Sequence, residues 1–167
     1  MICRSPGINQ VVNAGSVHEW RGGLRSRRSG DGVTAQLRLR IAGGPDAASA
    51  ARRALDSLQR HLHTQLLDDI RLLVSELVTN SIRHAGVGPG ETVELDVSVA
   101  TDRVSVAVSD LGPGFEPSPE PADPGSGGGW GLYMVESVAD RWGVERDRDC
   151  RVWFEIDRRG SRFARTG

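Results

Sequence analysis

The sequence predicts an α+β fold, a two-layer α/β sandwich with helices on one face of a mixed, mostly antiparallel sheet. Two observations carry this. Segments 34–41, 93–100, 103–110 and 151–156 alternate apolar and polar residues, the period of two that a half-buried strand requires. Segments 47–61, 64–85 and 130–140 carry their apolar residues at helical spacing instead. The resulting order is strand, helix, helix, strand, strand, loop, helix, strand. It shows no internal repeat and no run of strand-helix-strand units that would build a parallel sheet.

Residues 1–32 mix Gly, Ser and Arg with few apolar residues and no period, which reads as a disordered basic tail. In 34–41, Ala35, Leu37, Leu39 and Ile41 share one face, and Gln36, Arg38 and Arg40 the other. Gly43-Gly44-Pro45-Asp46 is a turn that offers Asp46 as an N-cap. The helix that follows, 47–61, aligns Ala51, Leu55 and Leu58, with Leu62 continuing the spacing; the next, 64–85, ends at Gly86. Thr101-Asp102 joins the two middle strands as a hairpin. Segment 112–129 is dense in Gly and Pro and reads as a long loop before the third helix. The last strand puts Val152, Phe154 and Ile156 on one face and Trp153 on the other. The organisation is one domain over 33–157, flanked by the tail 1–32 and a second basic tail, 158–167.

Composition narrows the function. A chain of 167 residues, 38% hydrophobic and 26% charged, builds one soluble domain without disulfides or a structural metal. Cys3 and Cys150 alone exclude a disulfide framework or a Cys-rich zinc site. Every basic residue besides histidine is arginine. The absence of lysine excludes a Walker A loop, the lysine of eukaryotic-type kinases and Schiff-base chemistry. No apolar run approaches the roughly 18 residues of a membrane span, and residues 1–10 lack the order of a signal peptide. The expected compartment is therefore the cytoplasm, with no membrane contact. Both termini are basic and could touch nucleic acid or an acidic partner, or be merely solvated; the acidic body between them argues against direct nucleic-acid binding.

Chemistry concentrates in three segments. On the second helix, Leu66, Ile70, Leu73, Val74 and Leu77 form an apolar stripe. With Glu76 as origin, Asn80 falls at about 40° and His84 at about 80°, so polar groups enter the stripe. A carboxylate and an amide at i, i+4 suit a shared Mg²⁺-and-water site, with the amide oxygen as a hard ligand and the carboxylate as a base. They equally suit a helix edge that caps neighbouring backbone. Asp110-Leu111-Gly112-Pro113-Gly114 follows a strand; its acid can accept from an exocyclic amine, its glycines admit a planar ring, and it is also a common turn. Gly127-Gly128-Gly129-Trp130-Gly131-Leu132 opens a helix, where free N–H groups and the positive dipole end suit phosphate oxygens, unless it is a plain linker.

Taken together, in this order and spacing, the three resemble the N box and the two glycine boxes of the GHKL ATPase superfamily, the histidine-kinase-like ATPase domains. Ser75-Glu76-Leu77-Val78-Thr79-Asn80-Ser81-Ile82-Arg83-His84-Ala85-Gly86, Trp130-Gly131-Leu132-Tyr133-Met134-Val135 and Val152-Trp153-Phe154-Glu155 look specifically like the small bacterial anti-sigma-factor serine kinases. The resemblance covers about residues 34–157 and implies the Bergerat ATP-binding fold, with ATP and Mg²⁺ as cofactors. It implies that Asn80 ligates Mg²⁺, that Glu76 is the general base, and that Asp110 recognises the adenine amino group. Gly112 and Gly114 would give the ring and ribose access, Gly129 and Gly131 would contact phosphate through backbone, and Leu132 belongs to the same ATP site. Residues 115–128 would be the lid, and Arg83 and His84 lie where they reach the phosphates or stabilise the helix end.

The implied partners are a sigma factor and a serine-bearing antagonist of the anti-sigma factor, and small members of the family are often homodimers. One departure stands out. The family's last strand is preceded by a Thr whose hydroxyl supports the adenine-binding Asp, whereas Asp149-Cys150-Arg151 here carry none; Ser81 and Thr79 are candidate substitutes. The resemblance thus implies an anti-sigma factor with serine/threonine-protein kinase activity. The missing hydroxyl favours the alternative, an ATP-dependent protein-binding module without kinase activity. A third reading, a detached sensor-histidine-kinase catalytic domain, would need a separate partner bearing the phospho-accepting histidine.

Overall fold

The alternating segments become strands of one sheet. The computed structural model describes residues 10–13, 16–19, 32–84, 86–87, 90–110, 130–146 and 149–159. Its strands are β1 (Gln10–Asn13), β2 (Ser16–Glu19), β3 (Ala35–Ala42), β4 (Thr92–Val99), β5 (Arg103–Asp110), β6 (Arg141–Arg146) and β7 (Cys150–Asp157). They lie in the order β2-β1-β6-β7-β5-β4-β3, and every neighbouring pair is antiparallel. The helices are α1 (Ala47–Leu55), α2 (Thr64–His84) and α3 (Trp130–Val138).

One core joins the layers. The α2 stripe expected from the sequence is buried whole: Leu66, Ile70, Leu73, Val74 and Leu77 meet Val93, Leu95 and Val97 of β4, Val104, Val106 and Val108 of β5, and Val152, Phe154 and Ile156 of β7. Alternation therefore assigns β3, β4, β5 and β7 one face toward the helices. The other face is mostly charged and cross-linked between strands, with Arg38 to Asp96 at 2.6 Å and Arg40 to Glu94 at 2.8 Å. Such exposed pairs add little stability individually. Trp153 leaves the main core, as expected, and packs beside Ala107 on this second face.

The structure departs from the sequence reading at several places. The first helix ends at Leu55 rather than near His61 and passes into a 3₁₀ turn, Asp56–Leu58. Ser57 Oγ donates to the Ala54 carbonyl, the local bonding by which short polar side chains compete with helix. Asp46 precedes α1 but makes no side-chain cap; Ala47 N–H donates to the Gly44 carbonyl instead. The whole of β6 was not expected, because Gly143 interrupts it and only Trp142 and Val144 alternate. The hairpin β1–β2 falls inside the segment read as a structureless tail: four-residue strands are too short to show a period, and pairing with β6 supplies what local sequence does not. Arg158, read as the start of the second tail, donates to the carbonyls of Ala100 at 2.5 Å and His61 at 2.8 Å. The lid expected over 115–128 lies outside the described residues. No helix among the described residues is long and apolar enough to cross a membrane.

Candidate functional site

The site is built where α2 meets the start of α3. The phase of α2 leaves Glu76 and Asn80 half-buried at the edge of its apolar stripe. Two hydroxyls on the same helix are turned inward on the backbone: Ser75 Oγ donates to the Arg71 carbonyl at 2.6 Å, and Thr79 Oγ1 to the Ser75 carbonyl at 2.7 Å. Below them Arg71 bridges Asp68 and Asp56 and ties α2 to the turn after α1.

Leu132 and Val135, both buried, anchor α3 in the core. That anchoring brings the first turn of α3 against α2 so closely that a side chain on Gly131 would have to displace that of Asn80. A Cβ on Gly131 would stand 2.6 Å from Asn80 Nδ2 and 3.2 Å from Glu76 Cβ. Two residues picked from one motif and one from another, more than fifty positions apart, are thus in contact. The Glu76 and Asn80 side chains both start beside the N-terminal end of α3, where the helix dipole favours anionic oxygen.

Asp110 closes β5 and is 7% exposed, continuing the helix-facing alternation of Val104, Val106 and Val108. Its register partner on β7 is Cys150, 3% exposed, whose partner on β6 is Arg146. Directly opposite residues point to the same side of a sheet. Of the three residues that lack the hydroxyl, Arg151 pairs with Ser109 and Glu145 and so belongs to the opposite face. Thr79, a candidate to support Asp110, commits its hydroxyl proton to Ser75. Ser81, the other candidate, is buried on α2.

The structure therefore brings Glu76, Asn80 and Gly131 together, buries Leu132 in the core next along α3, and places Asp110 at the sheet end beside Cys150. Gly112, Gly114 and Gly129 lie outside the described residues, as does the His84 side chain; Arg83 is exposed at the end of α2. Sequence reasoning missed the partnership of Cys150 with Asp110. No local signal encodes it, since it depends on the register of two strands separated by the loop, α3 and β6.

Among the described residues no three His, Cys, Asp or Glu side chains gather as a metal cluster. The donor set at Asn80 and Glu76 fits Mg²⁺ rather than a caged metal: that ion keeps several waters and takes one or two protein oxygens plus phosphate.

The family model described as "Histidine kinase-like ATPase domain" matches residues 41–154. The chain is 34% identical over 99 residues to the serine-protein kinase RsbW of Bacillus licheniformis, covering 52% of this chain and 62% of that protein. It is 28% identical over 120 residues to RsbW of Listeria monocytogenes, covering 63% of this chain and 76% of that protein. The chain thus spans less than two-thirds of the first of these relatives. In fold it is similar to a crystal structure of the RsbU and RsbW domains of a Mycobacterium tuberculosis protein, with a TM-score of 0.55 at 18% identity, covering 74% of this chain and 32% of that one.

Proposed function

Because the chain belongs to the histidine kinase-like ATPase domain family, we propose that it is an ATP- and Mg²⁺-dependent regulator that transfers a phosphoryl group to a serine hydroxyl of a partner protein. The observation that supports this most is the contact of Gly131 with Glu76 and Asn80. The side-by-side position of a carboxylate-bearing residue, an amide-bearing residue and the start of a helix supports reading them as base, metal ligand and phosphate-facing backbone. The similarity to serine-protein kinases named RsbW makes serine the favoured acceptor.

Each residue has a part in that reaction. Asp110 accepts a hydrogen bond from the adenine amino group and fixes the base. Backbone N–H groups around Gly131, at the positive end of α3, hold phosphate oxygens. Asn80 Oδ1 would hold Mg²⁺, and the bound ion would supply charge neutralisation to the phosphates. Glu76 takes the proton of the serine hydroxyl as its oxygen forms a bond to the γ-phosphorus. The bond from that phosphorus to the bridging oxygen breaks, and ADP leaves with the electron pair. Little covalent work falls to the protein, so positioning carries the rate.

In the same account the partners are a sigma factor, bound in one state, and an antagonist bearing the acceptor serine. The test is phosphoryl transfer from γ-labelled ATP to such an antagonist, in wild type and Glu76→Gln. Loss of a general base lowers turnover by about 10²–10⁴-fold while leaving nucleotide affinity nearly unchanged. Wild-type protein that binds ATP and the antagonist but labels no serine would leave a nucleotide-dependent binding module in place of a kinase.

A further inference from the structure

Helix α3 is held on two flanks, and only one of them touches the candidate site. At about 100° per residue, Leu132, Val135 and Ala139 form its buried stripe, with Gly131 and Glu136 each roughly 70° from the middle, on opposite sides. Gly131 lies against Glu76 and Asn80 of α2. On the other flank the half-buried Glu136 accepts a hydrogen bond at Oε2 from Trp142 Nε1 of β6, an indole only 1% exposed. The C-terminal end is tied separately to β7: Asp140 N–H donates to the Glu155 carbonyl at 3.0 Å, and Asp157 N–H to Asp140 Oδ2 at 2.7 Å. Apolar packing is non-directional and leaves a nine-residue helix free to roll about its axis, whereas a hydrogen bond fixes a direction.

Resting on the nucleotide reading above, we propose that Glu136 is a positioning residue, whose bond to Trp142 fixes the roll of α3 and so holds Gly131 where it seats the Asn80 amide for Mg²⁺. Glu136 itself is turned away from Gly131 and acts only through the helix. A roll of about 10° at the helix radius of about 2.3 Å moves the Gly131 Cα by about 0.4 Å. No side chain stands between the two helices at Gly131 to absorb that shift, so it passes to Asn80. A misplacement of about 1 Å at a reacting centre can cost about 10²-fold, so tenths of an ångström register. A carboxylate is the stronger kind of acceptor, and an indole offers a single donor, which makes the pair specific in direction.

The test is calorimetric titration of ATP, with Mg²⁺ and with EDTA, into the full chain, Glu136→Gln, Glu136→Leu and the double variant Glu136→Leu with Trp142→Phe, each with a melting curve. Glu136→Leu strands a buried N–H and lowers Tm whatever the pair does for the site. The double variant removes both polar groups, so most of that Tm should return. The readout that packing alone would not move is the gain in affinity from Mg²⁺, because Asn80 is the residue displaced. In Glu136→Leu and the double variant that gain should fall at least about fivefold below wild type, with metal-free affinity within about twofold. Glu136→Gln keeps an oxygen acceptor and should keep the wild-type gain. Trp142→Phe alone carries the same comparison if the leucine variants do not fold.

A double variant that recovers both Tm and the full Mg²⁺ gain overturns the inference. So does a loss that is equal with and without metal, or a Glu136→Gln variant no better than Glu136→Leu. Asn80→Ala separates the two levels. If it loses the Mg²⁺ gain while the Glu136 variants keep it, only the positioning role fails; if wild type gains nothing from Mg²⁺, the nucleotide reading fails and the inference with it.

Discussion

Gly131 is the tightest point of the site, and its substitution separates function from stability. A methyl group there meets the far end of the Asn80 side chain, which can swing away, and stands 3.2 Å from Glu76 Cβ, so α2 and α3 must part by a few tenths of an ångström; the helical preference for Ala over Gly contributes about 0.5–1 kcal/mol in the other direction. Gly131→Ala should therefore fold with a Tm near wild type and bind MgATP at least about tenfold more weakly, because Asn80 is displaced. Calorimetric titration alongside a melting curve checks both halves. Unchanged affinity would show that the α2–α3 contact is packing only.

Glu145 gives a second residue-scale prediction, on the opposite face. Burial pushes its carboxyl above the usual carboxylate range, Arg151 pulls it down, and Asp149 adds a further push up. An acid whose folded pKa is raised holds its proton longer in the folded chain. Ionising it therefore costs stability as pH rises through the folded pKa, and nothing below the unfolded value. Glu145→Gln does not titrate, so its stability relative to wild type should rise between about pH 4 and pH 8. Melting temperatures at the two ends settle the sign, and a gap that narrows with rising pH would contradict the account.

At the scale of elements, Arg158 joins three pieces of chain that are distant in sequence: the end of β7, the β4–β5 turn and the turn before α2. Removing a charged donor from two carbonyls at a partly exposed site should cost about 1 kcal/mol, a few degrees of Tm. Arg158→Ala should lower Tm by that amount without changing nucleotide affinity, since the clamp contacts none of Glu76, Asn80, Gly131 or Asp110. A parallel loss of affinity would mean that the clamp orients the site.

Elements also show what sequence can and cannot carry. β3, β4 and β5 were legible because each repeats its alternation over eight residues, and α2 because its stripe fixes a phase that leaves Glu76 and Asn80 half-buried at its edge. β6 was not, because Gly143 breaks its short pattern and its stability comes from lying beside β7. The site divides in the same way. Glu76 and Asn80 are one helical turn apart and readable together, whereas the Asp110–Cys150 pair and the approach of Gly131 are tertiary facts with no local trace.

For the whole molecule, β1 and β2 extend the sheet beyond β6 and occupy an edge that would otherwise be open. The candidate site lies on the helix-facing side of the sheet and uses none of their residues. Removing residues 1–31 should keep MgATP affinity within about threefold, and should increase self-association because the β6 edge is bared. Titration together with light scattering distinguishes the effects. A truncated chain that folds yet loses ATP would place the N-terminal segment in the site.

The measurement that bears most directly on the central claim is calorimetric titration of MgATP into wild type and Asn80→Ala, with EDTA added to a wild-type control. The account predicts saturable binding by wild type, and affinity reduced at least about tenfold both by the substitution and by removal of the metal. Wild type that binds no ATP, or that binds it equally well without Asn80 and without Mg²⁺, would contradict it.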